Sequence, residues 1–459
     1  MSSDPILYRL GRSWTIARIL LVGTLVREAF SFWTGHPFDF ESWIRTGYVV
    51  AHGGNPYSAF WPPVPGASFE SLNSNLTSAA YLPFWPELLA GLYLLWTAVG
   101  GGDRFVLYFL LKQPVILADV ASAYLLYRLV LRHTGDGARA RQVALFWSLF
   151  PYAITITAIW GQFDSIIVVL LLALFYARGA IERNLLLGLG IFVKWLTVIY
   201  LPLEFFRAKG LARATFLVAL ALAGGLTLLV FGLEGWSIAG FGTQGLASVA
   251  LSQSQGGGLG MNYALILSLS SVQSVLGQIP YFYRLAPYAW VPGILLGGWA
   301  AARWVGRDEP ISEMRALLFV LVLFLLLRWG LYEQYFLYLF GLLALAVAVF
   351  RPGFRALLRF TWGLAAIDLL VNNDLGMRFV SPIDPGIYAY TAALDANDGY
   401  GIVRTFLLVV LAVAVTLTLV QWAWTLWRDD PEPRPWPWSA RDAWRRWREA
   451  RTDARGTAL

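Results

Sequence analysis

The sequence predicts an all-α, polytopic membrane protein. Of its 459 residues, 58% are hydrophobic and only 14% are charged, whereas a typical soluble domain has roughly 25% charged residues. The apolar residues form blocks of about 17 to 25, the length that a helix needs to cross ~30 Å of hydrocarbon. The blocks lack the strict apolar–polar alternation of a transmembrane β-barrel. We therefore expect a bundle of membrane helices.

Thirteen apolar blocks support this prediction. They lie at 14–33, 83–99, 105–128, 141–159, 164–178, 185–206, 211–233, 262–280, 285–305, 315–328, 331–350, 356–372 and 403–427. The first block contains Arg18, Arg27 and Glu28 and has no small-residue cleavage site, so we expect a retained helix rather than a signal peptide.

The distribution of basic residues divides the connections between blocks into two sets. The basic residues concentrate at 9–12, 128–141, 178–183, 207–213, 303–315 and 351–359, and the other connections hold only Arg45, Arg104, Arg284 and Arg378. The positive-inside rule places the first set, and with it both termini, in the cytoplasm. Successive connections then lie on alternate sides of the membrane only if three blocks do not cross it once. These are 83–99, 185–206 and 262–280, which we interpret as re-entrant, hairpin or interfacial segments. We expect ten to thirteen membrane segments in a plasma or ER membrane.

The long first outer loop, 34–82, opens with Asp39 and Glu41. In one interpretation, Asp39 caps a helix that begins at Phe40. In the other, which is compatible with the first, a carboxylate partly removed from water at the membrane edge acts as a base toward a hydroxyl. Residues 40–51 have the helical spacing of an amphipathic helix that lies in the interface.

A second polar turn, "WGQFDS" at 160–165, is predicted to lie on the same outer face. It places Gln162 and Asp164 between two apolar blocks. Asp164 can simply cap the next helix, but polar groups at membrane depth are commonly functional.

Only three of the basic residues are lysines, and two of them lie inside apolar blocks. A buried ammonium is costly unless it is paired. Lys112 can pair with Asp119, and Lys194 can snorkel; alternatively, both face an anion such as a phosphate. Arg328 and Glu333 add a cation and an acid at another outer turn.

Composition excludes several kinds of site. The chain has no cysteine and only three histidines, so a zinc site is not expected, and no cofactor is required. Asp39 with Glu41 or Asp164 can hold Mg²⁺ or Mn²⁺, although nothing in the sequence indicates it. We find no nucleotide-binding motif, and the net charge of +7 is assigned to cytoplasmic loops rather than to nucleic-acid binding.

Two regions are distinguished. Residues 1–427 form the predicted membrane domain. Residues 428–459 form a basic, tryptophan-rich cytoplasmic tail, which we interpret as an interfacial helix on the anionic inner leaflet, with a solvated tail as the alternative.

An ordered set of motifs runs through the membrane domain: "FDFESW", "GGNPY", "YLPFWPELLA", "LKQPVILAD", "WGQFDSI", "GLGIFVKW" and "YEQYF". This set resembles the membrane glycosyltransferases of the GT-C superfamily over about residues 10–350. Within that superfamily it is most similar to the polyprenyl-phosphate-mannose-dependent mannosyltransferases related to the enzymes of glycosylphosphatidylinositol anchor assembly.

The resemblance implies an activity. It implies that a hexose, with mannose as the expected sugar, passes from a polyprenyl or dolichyl phosphate to a lipid or glycan acceptor on the extracytoplasmic or lumenal face, with inversion at the sugar carbon. The chemistry agrees, because a phosphate leaving group needs a cation rather than an acid, and a single carboxylate can deprotonate the acceptor.

The resemblance also implies site residues. Asp39 matches the family's outer-loop acid, supported by Glu41 and Asp164. Lys194, Lys112 and Arg328 are the candidates for the donor phosphate. The candidates for substrate binding are Gln162, Trp160, Asn55, Tyr57 and Glu333. The aromatic residues among them can equally belong to an interface belt. Relatives often carry a His-Glu pair where this chain has Tyr332-Glu333.

Three alternatives remain open. A multipass transporter or lipid flippase would also place charges in the membrane, but near its midplane and with inverted repeats. An oligosaccharyl or aminosugar transferase of the same superfamily is a second alternative, and the short soluble portion disfavours the former. A structural scaffold would not need the outer acids.

Overall fold

The computed structural model describes residues 13–57, 62–68, 81–237, 260–305, 310–433 and 435–436. Within these residues the chain forms 19 α-helices and no β-strand. The predicted all-helical class is therefore confirmed. The interfacial helix predicted for the tail lies outside the described residues.

The α-helices are numbered in chain order. In the first part of the chain they are α1 Ile16–Ser31, α2 Pro37–Ala51, α3 Phe84–Ala98, α4 Arg104–Thr134, α5 Gly137–Ser148, α6 Pro151–Ile154, α7 Asp164–Ala173, α8 Ala180–Val193, α9 Leu201–Arg207 and α10 Phe216–Glu234. In the second part they are α11 Tyr263–Leu267, α12 Ser270–Leu276, α13 Phe282–Leu285, α14 Trp290–Ala302, α15 Pro310–Leu327, α16 Phe336–Leu345, α17 Arg355–Asn372, α18 Pro385–Asp395 and α19 Asp398–Arg428. Shorter 3₁₀ and π segments join some of them, including Thr155–Trp160, Trp195–Tyr200 and Asp374–Val380.

In the part of the chain that the structure describes, six helical runs are long and apolar enough to cross a membrane: Arg104–Thr134, Gly210–Glu234, Phe282–Ala302, Pro310–Leu327, Glu333–Phe350 and Asp398–Arg428. A seventh is the pair Gly137–Ser148 and Pro151–Trp160, which is bent by 44°. The protein is therefore a multi-pass integral membrane protein. The number is lower than the predicted ten to thirteen because some apolar blocks form shorter helices, such as the 16 residues of α1.

The block 185–206 forms a hairpin rather than one helix. The chain breaks at Lys194, whose backbone is extended (φ −156°, ψ 112°). On either side of the break, Thr197 Oγ1 donates to the Leu187 carbonyl at 2.8 Å, and Arg183 pairs with Glu204 at 3.0 Å. These contacts join residues at increasing distance on the two sides of Lys194, so the two arms are antiparallel and Lys194 lies at the tip of the hairpin. A hairpin agrees with the prediction that this block does not cross the membrane once.

The other two ambiguous blocks also form no long helix. The block 83–99 forms the 15 residues of α3, which pack against α2 where Gly47 closely approaches the Leu89 backbone. The block 262–280 forms the short helices α11 and α12. The predicted helix at 40–51 is present in α2, but it packs through Trp43 and Ile44, which are buried.

One end of the bundle collects basic residues, and we call it the basic end. There Arg183 also pairs with Glu313, next to Arg207, and Arg351 pairs with Asp429. These contacts join the connections that the sequence assigns to the cytoplasm. The opposite end, which we call the Asp39 end, carries the turn after α1, the turn before α7 and the end of α17.

A buried polar network ties α1 to the bundle. The Arg27 guanidinium donates to Asp119 (Nε–Oδ2 2.7 Å) and to the Ser148 carbonyl at 2.6 Å. Asp119 also accepts from Trp147 Nε1 at 2.7 Å and from Thr157 Oγ1 at 3.1 Å. Because a buried ion pair is tolerated only when its remaining polar atoms are satisfied, this network sets the position of α1 and of the Asp39 loop that follows it.

Candidate functional site

Asp39 lies in the first turn of α2 and is not its cap. The helix begins at Pro37, with His36 at the N-cap position, because proline is favoured at the first helical position, where no backbone N–H is needed. The interpretation that Asp39 caps a helix beginning at Phe40 is therefore wrong. Its carboxylate is left available for partners from elsewhere in the chain.

Those partners come from the predicted turn at 160–165. Asp39 Oδ2 accepts hydrogen bonds from Trp160 Nε1 at 2.6 Å and from Gln162 Nε2 at 2.7 Å. The other oxygen, Oδ1, makes no hydrogen bond with the described residues, and 21% of the side chain is exposed. One oxygen is thus held by two donors while the other can receive a proton.

Gly161 makes this arrangement possible. Its φ is +95°, and a Cβ added there would lie 2.6 Å from the Phe40 ring. Only glycine meets both conditions without strain. The turn therefore presents Trp160 and Gln162 side by side to Asp39.

Asp164 forms a buried ion pair. Lys194 Nζ donates to both carboxylate oxygens of Asp164, at 2.8 and 3.0 Å, and the Tyr338 hydroxyl donates to Oδ1. The side chains of the pair are 1% and 0% exposed. Asp164 is the first residue of α7 rather than its cap, and Lys194 does not snorkel.

The two acids lie close together at the Asp39 end, as predicted. Gln162, which binds Asp39, is two residues from Asp164, a separation of at most about 7 Å along the chain. Tyr81 is influenced by both acids: burial raises the pKa of its hydroxyl, and the charges of Asp39 and Asp164 raise it further. The Tyr81 ring packs edge-on against Phe163 at 5.0 Å.

Two other predicted residues are occupied by structural contacts. Glu41 forms a buried ion pair with Arg45, one turn along α2, and does not share the Asp39 environment. Lys112 Nζ donates to the Thr34 carbonyl at 2.7 Å, to Thr34 Oγ1 at 2.9 Å and to the Ile159 carbonyl at 3.4 Å. The predicted Lys112–Asp119 pair is wrong, because Asp119 pairs with Arg27.

Arg328 lies next to the Lys194 pair. Its guanidinium is 4.3 Å from the centroid of the Tyr335 ring and 5.4 Å from that of Trp195, and Lys194 Nζ is 5.1 Å from the Tyr335 ring. Two cations and one carboxylate, Asp164, therefore surround Tyr335.

Glu333 is buried at the same end. Its Oε1 accepts from Asn372 Nδ2 at 2.6 Å, and its carbonyl accepts from the Tyr152 hydroxyl at 2.7 Å. Asn55 and Tyr57 are not brought to Asp39. Asn55 Oδ1 accepts from the Tyr57 N–H at 2.9 Å, and the Tyr57 ring stacks on Phe231 of α10 with centroids 5.5 Å apart, so both residues serve the packing of the loop on that helix.

Sequence reasoning missed several residues that complete the site. His36 stacks on Trp160, and Phe379 packs against both rings. Tyr338 and Asn372 bind Asp164 and Glu333. Only His36 had a local signal, since it directly precedes Pro37 and Asp39; the others come from distant helices.

Among the described residues, no three His, Cys, Asp or Glu side chains come close enough to hold a metal ion. The two carboxylates proposed to share a metal with Asp39 are instead engaged by Arg45 and Lys194. A search against models of known protein families finds no match to this chain, and a search of curated proteins finds none either.

Proposed function

We propose that this protein is a GT-C-type glycosyltransferase that moves a hexose, with mannose as the expected sugar, from a polyprenyl phosphate to a glycolipid or glycan acceptor. The observation that carries the proposal is the Asp39 carboxylate, with Oδ2 held by Trp160 and Gln162 and Oδ1 open. A fixed, partly exposed carboxylate of this kind suits a general base.

The reaction then needs one displacement. Asp39 takes the proton of the acceptor hydroxyl, and the freed electron pair on that oxygen forms a bond to the anomeric carbon. The bond from that carbon to the phosphate oxygen breaks, and its electron pair leaves on the phosphate. A single displacement inverts the anomeric carbon.

The cations near Tyr335 support a phosphate leaving group. Lys194 is neutralised by Asp164, and the Arg328 guanidinium lies 4.3 Å from the centroid of the Tyr335 ring. A fixed cation stabilises the charge that develops on a departing phosphate without a proton transfer. Of the three cations predicted to bind the donor, Arg328 is the one we retain for direct contact.

A groove beside this cation suits a lipid chain. It has a volume of about 460 Å³ and is lined by apolar side chains of the hairpin, α10 and α14, including Leu201, Phe205 and Ile294. At one end Trp290 packs on Trp195 with ring centroids 5.6 Å apart, and Trp195 lies beneath Arg328. A polyprenyl chain in the groove would place its phosphate near Arg328.

Filling the groove should weaken donor binding. We expect the Ile294→Trp variant to raise KM for the polyprenyl-phosphate sugar by about tenfold, or about 1.4 kcal/mol, with little change in kcat. A donor with a truncated prenyl chain should be affected less. The control is Leu296→Trp, on the same helix but 66% exposed; equal effects of both variants would contradict a lipid site in the groove.

The membrane topology follows from the same proposal. Both termini lie in the cytoplasm with the basic end, and the Asp39 end faces the extracytoplasmic or lumenal side, where donors are lipid-borne. The hairpin at Lys194 enters from the cytoplasmic side and returns to it.

The function is tested by a donor screen. Membranes that contain the protein are incubated with radiolabelled polyprenyl-phosphate mannose, glucose and arabinose, and the products are separated by chain length and polarity. Transfer from at least one donor is expected. Movement of intact lipid across the bilayer without sugar transfer would instead favour a flippase.

A further inference from the structure

His36 contacts Asp39 in a way that the reaction above does not use. Its Nδ1 lies 3.5 Å from Asp39 Oδ2, just beyond an ordinary hydrogen bond. Nδ1 is buried and has no hydrogen-bond partner in the described residues. An unsatisfied buried nitrogen is unfavourable, and a proton placed between the two atoms would complete the bond.

The imidazole is held firmly in this position. The His36 N–H donates to the Trp160 carbonyl at 3.4 Å, and the N–H of Gly35 donates to the Phe379 carbonyl at 2.8 Å. The ring stacks on Trp160 with centroids 5.1 Å apart and lies 6.2 Å from the Phe379 ring. Trp160 also donates to Asp39, so one indole positions both groups.

We propose that His36 is a positioning residue for Asp39: it keeps the carboxylate oriented toward the acceptor and takes over the proton that Asp39 removes. This inference rests on the proposed function. After the sugar–oxygen bond forms, the neutral carboxyl rotates about its Cβ–Cγ bond, which brings the protonated oxygen to the side that faces His36. The proton then moves to His36 Nδ1, which restores the carboxylate. It then passes to water, and nothing is oxidised or reduced.

The surroundings keep the His36 imidazole neutral, so that it can accept a proton. Among the described residues, two charged groups act on it, Asp39 from α2 and Arg378 from the segment Asp374–Val380, while the Trp160 segment contributes no charge. Burial lowers the pKa of His36, the Asp39 charge raises it, and the Arg378 charge lowers it, with a net decrease from the ordinary 6.5. The ring is therefore neutral near pH 7 and loses its accepting lone pair only in acid.

A pH profile tests the relay. The kcat of the wild type should fall as the pH is lowered, with an apparent pKa below 6.5. The His36→Gln variant should not show this fall in kcat, because glutamine does not titrate. At pH 7.5 its kcat should fall by up to about 10²-fold. His52→Gln is the matched control, since His52 is exposed at the end of α2. If kcat of His36→Gln depends on pH as in the wild type, the role of His36 is overturned and the proposed function stands. If the wild type transfers no sugar, both are overturned.

A second measurement does not depend on activity. The chain has only three histidines, so NMR of the protein labelled with ¹⁵N-histidine in nanodiscs resolves each titration. Because the Asp39 charge raises the pKa of His36, Asp39→Asn should shift the His36 midpoint to lower pH and leave His52 unchanged. An unchanged His36 midpoint would overturn the coupling.

Discussion

The Asp39→Asn variant is expected to lose about 10²- to 10⁴-fold in the rate of sugar transfer, which is the contribution of a positioned general base. Asparagine has the same shape, and its oxygen can still accept from Trp160 and Gln162, which hold Oδ2 at 2.6 and 2.7 Å. The protein should therefore fold and insert normally. Radiolabelled transfer at matched expression measures the effect.

Asp384→Asn is the matched control for Asp39→Asn. Asp384 lies before α18 and accepts from the Gly386 N–H at 2.8 Å, and asparagine caps a helix about as well as aspartate. The control should keep wild-type activity. Full activity in Asp39→Asn would exclude Asp39 as the base.

The Lys194→Met variant is expected to be the most destabilised. It leaves the Asp164 carboxylate buried with the Tyr338 hydroxyl as its remaining described donor, and an uncompensated buried charge costs about 3–5 kcal/mol. The thermal midpoint of the purified protein in detergent should fall clearly. Lys209→Met, which removes an exposed lysine after α9, should leave the midpoint unchanged.

The double variant Asp164→Asn/Lys194→Met separates charge burial from packing. Removing both charges together avoids the uncompensated carboxylate, so most of the lost stability should return. If the double variant is as unstable as Lys194→Met, the ion pair is not what holds the hairpin tip against α7.

Lys194→Met and the double variant also test whether the hairpin positions the turn that contacts Asp39. Lys194 is brought from the tip of the hairpin to the first residue of α7, two residues after Gln162. The ion pair therefore holds the turn that presents Trp160 and Gln162 to Asp39. A rise in KM or a fall in kcat in the stable double variant would measure this support.

Much of the fold could be predicted from local patterns. Apolar blocks and the clustering of arginines predict a helical membrane protein, and the structure gathers Arg183, Arg207 and Arg351 at one end. The convergence of Asp39 with the turn at 160–165 was also predictable, because both follow apolar blocks on the same side. The beginning of α2 was missed because Pro37 at the first helical position outweighs a cap at Asp39.

The pairing of buried charges could not be predicted in the same way. Lys112 and Asp119 lie on one helix, yet each is satisfied by atoms from other parts of the chain. Lys194 finds Asp164 across 30 residues of chain only after the hairpin forms. Such partners depend on tertiary packing, which decides where an ammonium can be desolvated, and spacing along one helix carries no information about it.

The most direct test uses purified protein in proteoliposomes with a polyprenyl-phosphate sugar and a glycolipid acceptor. We expect free polyprenyl phosphate and glycosylated acceptor to form in equal amounts, with inverted configuration at the anomeric carbon, and neither product to form with Asp39→Asn. Proteoliposomes that release no polyprenyl phosphate from any donor sugar, or that do so equally well without Asp39, would contradict an Asp39-centred transferase.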